Sequence, residues 1–481
     1  MRAGLLRAAR VVLLGGPFAL AFFSGGYFDE ARAWAGLAAW LLVAVGVLAS
    51  RDPWPRGRGS WLSLASLALL GAWTLFSIAW APIAGGAYHA GQLVVLYAGG
   101  LLAAAVLLRS PGALSAVEPA LAGGALVVIG YGLSGRLLPG LVHLSHSISA
   151  EGRLEQPLTY WNAIGELAAL GFILAARVGG DSRRPRYLRA LAAAACVPLG
   201  LGLYLSFSRG ALFAWAAGLL ALIVATRSAE TLRTGALAVG VSALVALAAS
   251  PLNGFTSLAG SPGTRETQGA IMLAVLAAGM TAAALVQWRL ARAPPRSPLA
   301  LPRWAPQIAL AAICAGLALA IAAGAKETSS RPLSAGASRY VTLESNRYDY
   351  WRVAMRAFAD EPLRGVGAGG WAVWWLRYRT IPEFAQDAHS LPLQTLAELG
   401  LIGLGLLLGF AAGIALTATS AHRASPQLAA GPIAGVVVYA AHAPLDWDWQ
   451  MPAVTLVAIV LAGALLALAP ASRPANVAAE R

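Results

Sequence analysis

Apolar runs, most of them about 17 to 25 residues long, recur along the whole chain, and a run of that length crosses a hydrocarbon core of about 30 Å as a single helix. Fourteen runs are predicted as spans, at residues 11–27, 33–49, 61–80, 89–108, 116–133, 162–176, 188–205, 211–225, 235–249, 270–288, 306–323, 391–417, 429–441 and 453–468. One polar, arginine-studded segment, 326–390, interrupts the series. The pattern predicts an all-α polytopic membrane protein of about 12–14 transmembrane helices with one large outward loop. Its expected regions are N-terminal helices in 1–135, central helices with a short arginine turn in 136–324, the outward loop with interfacial helices in 325–390, and C-terminal helices with a cytoplasmic tail in 391–481.

Arginine falls in alternate connections. Arg2, Arg7 and Arg10 precede the first span; Arg51, Arg56 and Arg58 follow the second, Arg109 the fourth, Arg177 to Arg189 the sixth, Arg227 and Arg233 the eighth, and Arg289 to Arg303 the tenth. Cytoplasmic loops retain positive charge, so these loops share the cytoplasmic side and both termini are expected there. The other connections contain only scattered basic residues, Arg32, Arg136, Arg153, Arg209 and Arg265. The 326–390 segment is exempt, because long loops translocate largely regardless of charge. His389, at its end, is therefore expected to face outward.

Composition agrees, with 58% hydrophobic and 12% charged residues, roughly half the charged share of soluble domains. The net charge of +14 is mostly this dispersed topogenic arginine, so membrane lipids are the expected surroundings and no nucleic acid is expected. Cys196 and Cys314 each fall inside a predicted span, which argues against a disulfide or a zinc site. No small-residue cleavage site follows the first run, which is expected to be a retained helix. The sequence shows no fixed-period repeat and no inverted half-to-half symmetry.

Three outward segments have composition beyond mere connection. The first, 136–161, leads through Arg153 to Tyr160-Trp161-Asn162 at the start of the sixth span. Tyr160 and Trp161 read as interfacial anchors; Arg153 and Asn162 are candidates for substrate binding, with structural roles as the alternative. The second is the short turn Ser206-Phe207-Ser208-Arg209-Gly210. Arg209 there is either a snorkelling side chain or a group held at the depth of a lipid carrier's phosphate.

The third segment predicts two helices. Asn346 is expected as an N-cap, with Arg347, Trp351, Ala354, Met355 and Phe358 on one apolar stripe. A charge on such a stripe needs a partner, either an anionic ligand or an acidic side chain elsewhere in the fold. The glycines of Gly365-Val366-Gly367-Ala368-Gly369-Gly370 predict a flexible turn, since no strand precedes them to make a dinucleotide fingerprint. Trp371, Trp374, Trp375 and Tyr378 then predict a helix lying in the interface on its aromatic stripe, as a lid.

Arginines beside a histidine suit group transfer from a diphosphate carrier. Guanidinium groups bind phosphate oxygens bidentately and stay charged, so Arg209 and Arg347 would hold a diphosphate and stabilise the charge that builds as it leaves. Diphosphate is already a good leaving group, so no metal or other cofactor is expected. The attacking hydroxyl must lose a proton, and a histidine side chain, with an ordinary pKa near 6.5, suits the task. His389 is the candidate. His89 and His442 lie in or beside spans, His422 is expected on the cytoplasmic side, and His143 and His146 form only a weak loop pair. Glu398, further along the span that follows His389, either orients the site or braces helices beside Gly400 and Gly403. Asp446-Trp447-Asp448 resembles the D-x-D of nucleotide-sugar glycosyltransferases, but on the outward side a packing or acceptor-side role is expected.

Taken together, these segments resemble the O-antigen ligase and polymerase superfamily of bacterial envelopes. His389-Ser390, followed after nine residues by Gly400-Leu401-Ile402-Gly403, looks like its histidine motif. Arg209-Gly210-Ala211-Leu212-Phe213 looks like its arginine motif, with Phe213 where leucine is commoner. Arg347 to Trp351, leading to Pro362-Leu363-Arg364-Gly365-Val366-Gly367, is similar to the start of its large periplasmic loop, and Leu158-Thr159-Tyr160-Trp161-Asn162-Ala163-Ile164-Gly165 to its asparagine segment. The resemblance covers roughly residues 153–452.

The resemblance implies a GT-C-like fold in the bacterial cytoplasmic membrane. It also implies an undecaprenyl-diphosphate-linked glycan donor and a lipid-anchored or glycan acceptor. Transfer would be inverting and metal-independent, with Arg209 and Arg347 on the diphosphate and His389 serving the acceptor. A ligase moves finished polymer to an anchor, a polymerase moves a growing chain to the next lipid-linked unit, and the ligase is the preferred reading. A polyprenyl-glycan transporter is the alternative of another class; it predicts ionisable residues along several spans, whereas Glu118, Glu166 and Glu398 are nearly the only ones here.

Overall fold

Serine caps and first-turn prolines divide the apolar runs into helices. Ser110, Ser208, Ser228 and Ser261 each accept a bond from the amide three residues on, and a proline opens the helices after Ser110, Ser261, Ser390, Ser425 and Met451. The computed structural model describes residues 2–294, 296–324 and 346–470. The beginning of the long outward segment and the C-terminal tail lie outside the described residues.

In chain order the helices are α1 (Arg2–Ala21), α2 (Asp29–Ala49), α3 (Arg58–Phe76), α4 (Ala84–Leu107), α5 (Pro111–Leu137), α6 (Trp161–Gly180), α7 (Arg186–Leu205), α8 (Arg209–Thr226) and α9 (Ala229–Ala249). After the single turn α10 (Asn253–Thr256) come α11 (Pro262–Leu290), α12 (Ala305–Gly324), α13 (Arg347–Asp360), α14 (Gly370–Tyr378), α15 (Leu391–Ala424), α16 (Pro426–His442) and α17 (Pro452–Leu468). No strand occurs among the described residues. All fourteen predicted runs fall on helices, and among the described residues eleven helices are long and apolar enough to cross a membrane. The run at 306–323 corresponds to α12, of 20 residues, and those at 429–441 and 453–468 to α16 and α17, of 17 residues each.

The bundle is wound around α6, whose residues from Asn162 to Gly180 are all buried. Helices α5, α7, α8, α9 and α16 pack against it, and α17 forms a second buried axis against α4. At Gly463 the approach is so close that a Cβ would lie 2.4 Å from that of Ala104 on α4. The outer helices instead expose Val11, Trp34, Leu48, Leu244 and Leu247, the outward-facing apolar surface expected of a protein solvated by lipid.

Three expectations for the outward segment are corrected. On α13 the buried face is Tyr350, Trp351, Val353, Ala354 and Ala357, while Met355 is exposed. Asn346 does not cap the helix; its amide donates to Glu383 at 2.5 Å. On α14, Trp371 and Trp375 are wholly buried, stacked 5.6 Å apart and edge-on to Tyr350, so the aromatic stripe rests on α13 rather than on lipid.

The glycine segment is not a loose turn. Helix α15 breaks at Gly400 (φ 64°, ψ −162°), and the freed carbonyls are satisfied by that segment: Val366 N–H donates to Ala397 O (3.0 Å) and Gly367 N–H to Glu398 O (2.8 Å). In return, Leu401 N–H donates to Pro362 O at 2.9 Å. A Cβ on Gly365 would lie 2.3 Å from the Glu398 carbonyl carbon, and one on Gly400 the same distance from Leu363 O. Only glycine permits both the positive φ and this approach. The segment splints the broken helix whose first turn follows His389.

Candidate active site

Connections from one end of the bundle meet in an open cleft of about 790 Å³. Its walls come from the α1–α2 turn (Tyr27, Phe28), the α5–α6 connection (Arg153, Tyr160, Asn162), the start of α13 (Arg347, Tyr350), the segment before α15 (Phe384, Asp387, His389) and the α16–α17 turn (Trp447, Met451).

Behind its wall, bonded to the lining residues Tyr160, Asn162, Arg347, His389 and Trp447, is Asp446, wholly buried. Oδ1 accepts bonds from the Tyr160 hydroxyl (2.5 Å), the Trp447 amide (2.9 Å) and His389 Nδ1 (3.2 Å). Oδ2 accepts from Asn162 Nδ2 (2.6 Å) and Arg347 Nη2 (2.9 Å). Burial alone would raise the Asp446 carboxyl, but Arg347, the His389 bond and the nearby His442 together hold it well below the usual carboxylate range. It is therefore an anion whose charge is answered on every side, the condition under which a buried carboxylate persists. Arg347 thus finds an acidic side chain elsewhere in the fold while still lining the cleft.

His389 is held by backbone as well as ring. Its φ of 50° is left-handed, a conformation a residue other than glycine keeps only when its surroundings impose it. On either side, Ala388 N–H donates to Gln394 Oε1 (3.2 Å), and Leu391 N–H donates to Ala443 O (2.9 Å), fastening the start of α15 to the end of α16. The ring stacks on Tyr350 at 5.0 Å with an interplanar angle of 20° and meets the edge of Trp447. With Nδ1–H donating to Asp446, Nε2 is the basic nitrogen. Burial raises the phenols of Tyr350 and Tyr160, so Tyr160 stays an O–H donor to Asp446. Burial also raises the Asp387 carboxyl, which accepts from Gln394 at 2.9 Å.

Arg153 is buried, with its guanidinium 4.5 Å over the Trp161 ring and Glu151 at 3.4 Å. Its loop is pinned by Leu154 N–H donating to Leu205 O (2.9 Å) and by the buried Arg136, which donates to Gly152 O (2.6 Å).

Below Asp446 lies a second buried cluster. Glu166, one helical turn beyond Asn162 on α6, reaches His442 Nδ1 at 3.2 Å, and His442 also bonds Asp448. All three are fully buried. One face of α6 thus grips the Asp446-Trp447-Asp448 turn twice, through Asn162 above and Glu166 below. Among the described residues, Glu166, His442 and Asp448 bring donor atoms within 4.8 Å of one another, close enough to hold a metal ion.

Of the residues singled out from the sequence, the cleft brings together Arg153, Asn162, Arg347 and His389. Arg209 and Glu398 are not among the described residues lining it. Arg209 opens α8 beside Gly210, on which a Cβ would lie 3.0 Å from His442 Nε2. Glu398 is buried at the break of α15, accepting from the Trp371 amide (3.3 Å) and Gln394 (3.5 Å), a placement that braces the splint.

Sequence reasoning missed Asp446 as the hub, and with it Tyr160, Tyr350 and Trp447. The available signal was a pair of carboxylates bracketing a tryptophan just after a span.

A family model described as O-antigen ligase matches residues 254–408, about a third of the chain. No curated protein matches the chain. The matched stretch contains Arg347, His389 and the break at Gly400; Asp446, which joins the first two, and Asn162, bonded to it, lie outside the stretch. Over that stretch the chain is similar to the O-antigen ligase family, and among the described residues eleven helices are long and apolar enough to cross a membrane.

Proposed function

We propose that this protein transfers a glycan from undecaprenyl diphosphate to an acceptor hydroxyl at the outer face of the bacterial cytoplasmic membrane, as a ligase. The observation that carries the reading is the sharing of Asp446 by His389 and Arg347 at the edge of one open cleft. His389 Nε2 takes the proton of the acceptor hydroxyl, and Asp446, on Nδ1, orients the ring and stabilises the imidazolium. The acceptor oxygen attacks the anomeric carbon as its bond to the diphosphate breaks, and the carrier leaves as the diphosphate anion. A single displacement of this kind inverts the centre. Arg347 faces the leaving group, with Arg153 and Asn162 on the same wall. Arg209, at the same end of the bundle, is the second arginine assigned to the donor. The exposed Phe28 and Phe384 give the cleft an apolar border suited to the first isoprene units. The chemistry assigned to these side chains uses no metal, because the diphosphate needs no further activation to leave.

The test is the envelope glycan of cells carrying only the His389→Ala protein. Long polymer retained on undecaprenyl diphosphate, with none anchored, is the expected result. Single repeat units in place of polymer would make the protein a polymerase. An unchanged profile would sink the assignment of His389 and revive the transport reading.

A further inference from the structure

We propose that the end of the bundle opposite the cleft holds a binding site for the phosphate headgroup of an anionic phospholipid. The site is a cavity of about 360 Å³ between α7, α9 and α11, lined by Arg186, Arg189, Arg233, Arg292, Glu230 and Gln287 among others.

Arginine at this end has an ordinary explanation in membrane topology, and the adjoining cavity shows what that looks like. There Arg183 clasps Asp181 through two bonds of 2.9 Å, and Arg177 lies 3.6 Å from Asp181 and 3.7 Å from Glu118; Arg184, which lines the first cavity, is likewise 3.7 Å from Asp181 and 3.8 Å from Glu118. Those arginines are answered within the protein. In the cavity between α7, α9 and α11 the balance differs. No side-chain hydrogen bond or ion pair to another described residue engages Arg186, Arg233 or Arg292. The one acid in the wall, Glu230, is occupied by the Arg296 amide (2.6 Å) and the Ser228 hydroxyl (3.1 Å). Like charges gathered around a cavity in excess of its one acid raise its affinity for an anion.

The floor of the cavity is built. Arg189 is buried, its Nε donating to Gly179 O at 3.0 Å, and the buried Gln287 donates to the same oxygen at 2.8 Å while accepting from Thr234 at 3.2 Å. The first turn of α7 opens onto this space behind Pro185, which offers no side-chain cap, so its amides reinforce the field of the arginines. Guanidinium groups take phosphate oxygens bidentately.

The position selects a lipid over a free ion. The cavity lies among the ends of membrane-crossing helices, and Tyr187 and Leu191 beside it on α7 are exposed, as a lipid-facing flank requires. Basic pockets between helices at this side of a membrane suit phosphate headgroups. A bound lipid would tie α7 to α9 and α11, which pack on one another beside α6.

The experiment is native mass spectrometry of the full-length protein in mild detergent, offered cardiolipin, phosphatidylglycerol or phosphatidylethanolamine, with inorganic phosphate at millimolar concentration in a separate arm. The expected result is retention of an anionic lipid over phosphatidylethanolamine, reduced about tenfold in the Arg186→Gln/Arg233→Gln/Arg292→Gln protein. The single variants Arg186→Gln and Arg233→Gln, which keep most of the charge, should each lose part of the binding. Thermal unfolding without lipid reports whether a variant is folded. Equal retention of the neutral lipid, or unchanged retention by the folded variants, overturns the site. Displacement of lipid by inorganic phosphate alone overturns the lipid as ligand and leaves an adventitious anion only.

Discussion

The two ends of this bundle treat charge in opposite ways. At the cleft, one buried carboxylate, Asp446, gathers an imidazole, a guanidinium, an amide and a phenol, and every charge has an answer within the protein. At the other end Arg186, Arg233 and Arg292 outnumber Glu230, the one acid among the described residues of the cavity wall, which is bonded to an amide and a hydroxyl. Matched charges fix geometry, because each side chain is held by the next. Unmatched charges hold nothing still, but they attract an external anion. The contrast assigns positional accuracy to the cleft and adhesion to the arginine end, and it can be broken at several points.

The largest effect is expected at the hub. Asp446→Asn keeps the size of the side chain but removes its charge and places an amide against donors. Transfer should fall by roughly 10³ to 10⁴, with a loss of stability on the order of 3–5 kcal/mol, read by transfer with purified donor and by thermal unfolding. Full activity in this variant would show that His389 and Arg347 are positioned without Asp446.

Next is the splint. Gly400→Ala puts a Cβ against Leu363 O at a positive φ, for which roughly 2–4 kcal/mol of destabilisation is expected. Limited proteolysis of the outward loop should rise with it; an unaltered cleavage pattern would mean that the loop stays ordered without the helix break.

Arg347→Ala should then lower kcat/KM for the donor by about 1.5–3 kcal/mol, or roughly 10- to 100-fold. Arg209→Ala should cost less, since the described cleft wall does not include it. Equal losses would bring Arg209 to the diphosphate and require it to reach the cleft.

What could be read from the sequence divides along physical lines. Helices in lipid announce themselves through length and apolarity, so all fourteen runs fall on helices, although α1 (Arg2–Ala21) and α11 (Pro262–Leu290) begin well before the expected 11 and 270. Arg153, Asn162, Arg347 and His389 stood out because polar side chains beside spans are few, and the fold gathers them around one cleft. Asp446 stood out only as part of the Asp446-Trp447-Asp448 motif, and its place as the hub did not, because its burial depends on α6, α13 and the turn before α15 arriving from distant parts of the chain, and no periodicity marks that. The stripe on α13 was mis-phased for a related reason. Near a membrane an apolar residue such as Met355 need not face inward, so hydrophobicity loses its power to tell the buried side from the exposed one. The glycines of 365–370 suggested freedom of motion because their partner, the backbone of a broken helix, leaves no mark in side-chain composition.

The smallest expected effect concerns pH. Asp446 has a depressed carboxyl pKa in the folded protein, so its contribution to stability is fully present above the unfolded carboxylate value, about 3.9, and is lost only as pH falls through the lower folded value. Between about pH 5 and 8 the folded and unfolded states bind no different number of protons at this position. The stability difference between the native protein and Asp446→Asn should therefore not shrink across that window, while activity is free to vary with the state of the base. A stability difference that shrinks on acidification within the window would mean that Asp446 takes up a proton there. The matched-charge description of the cleft would then fail at its centre, whatever the transfer assays showed.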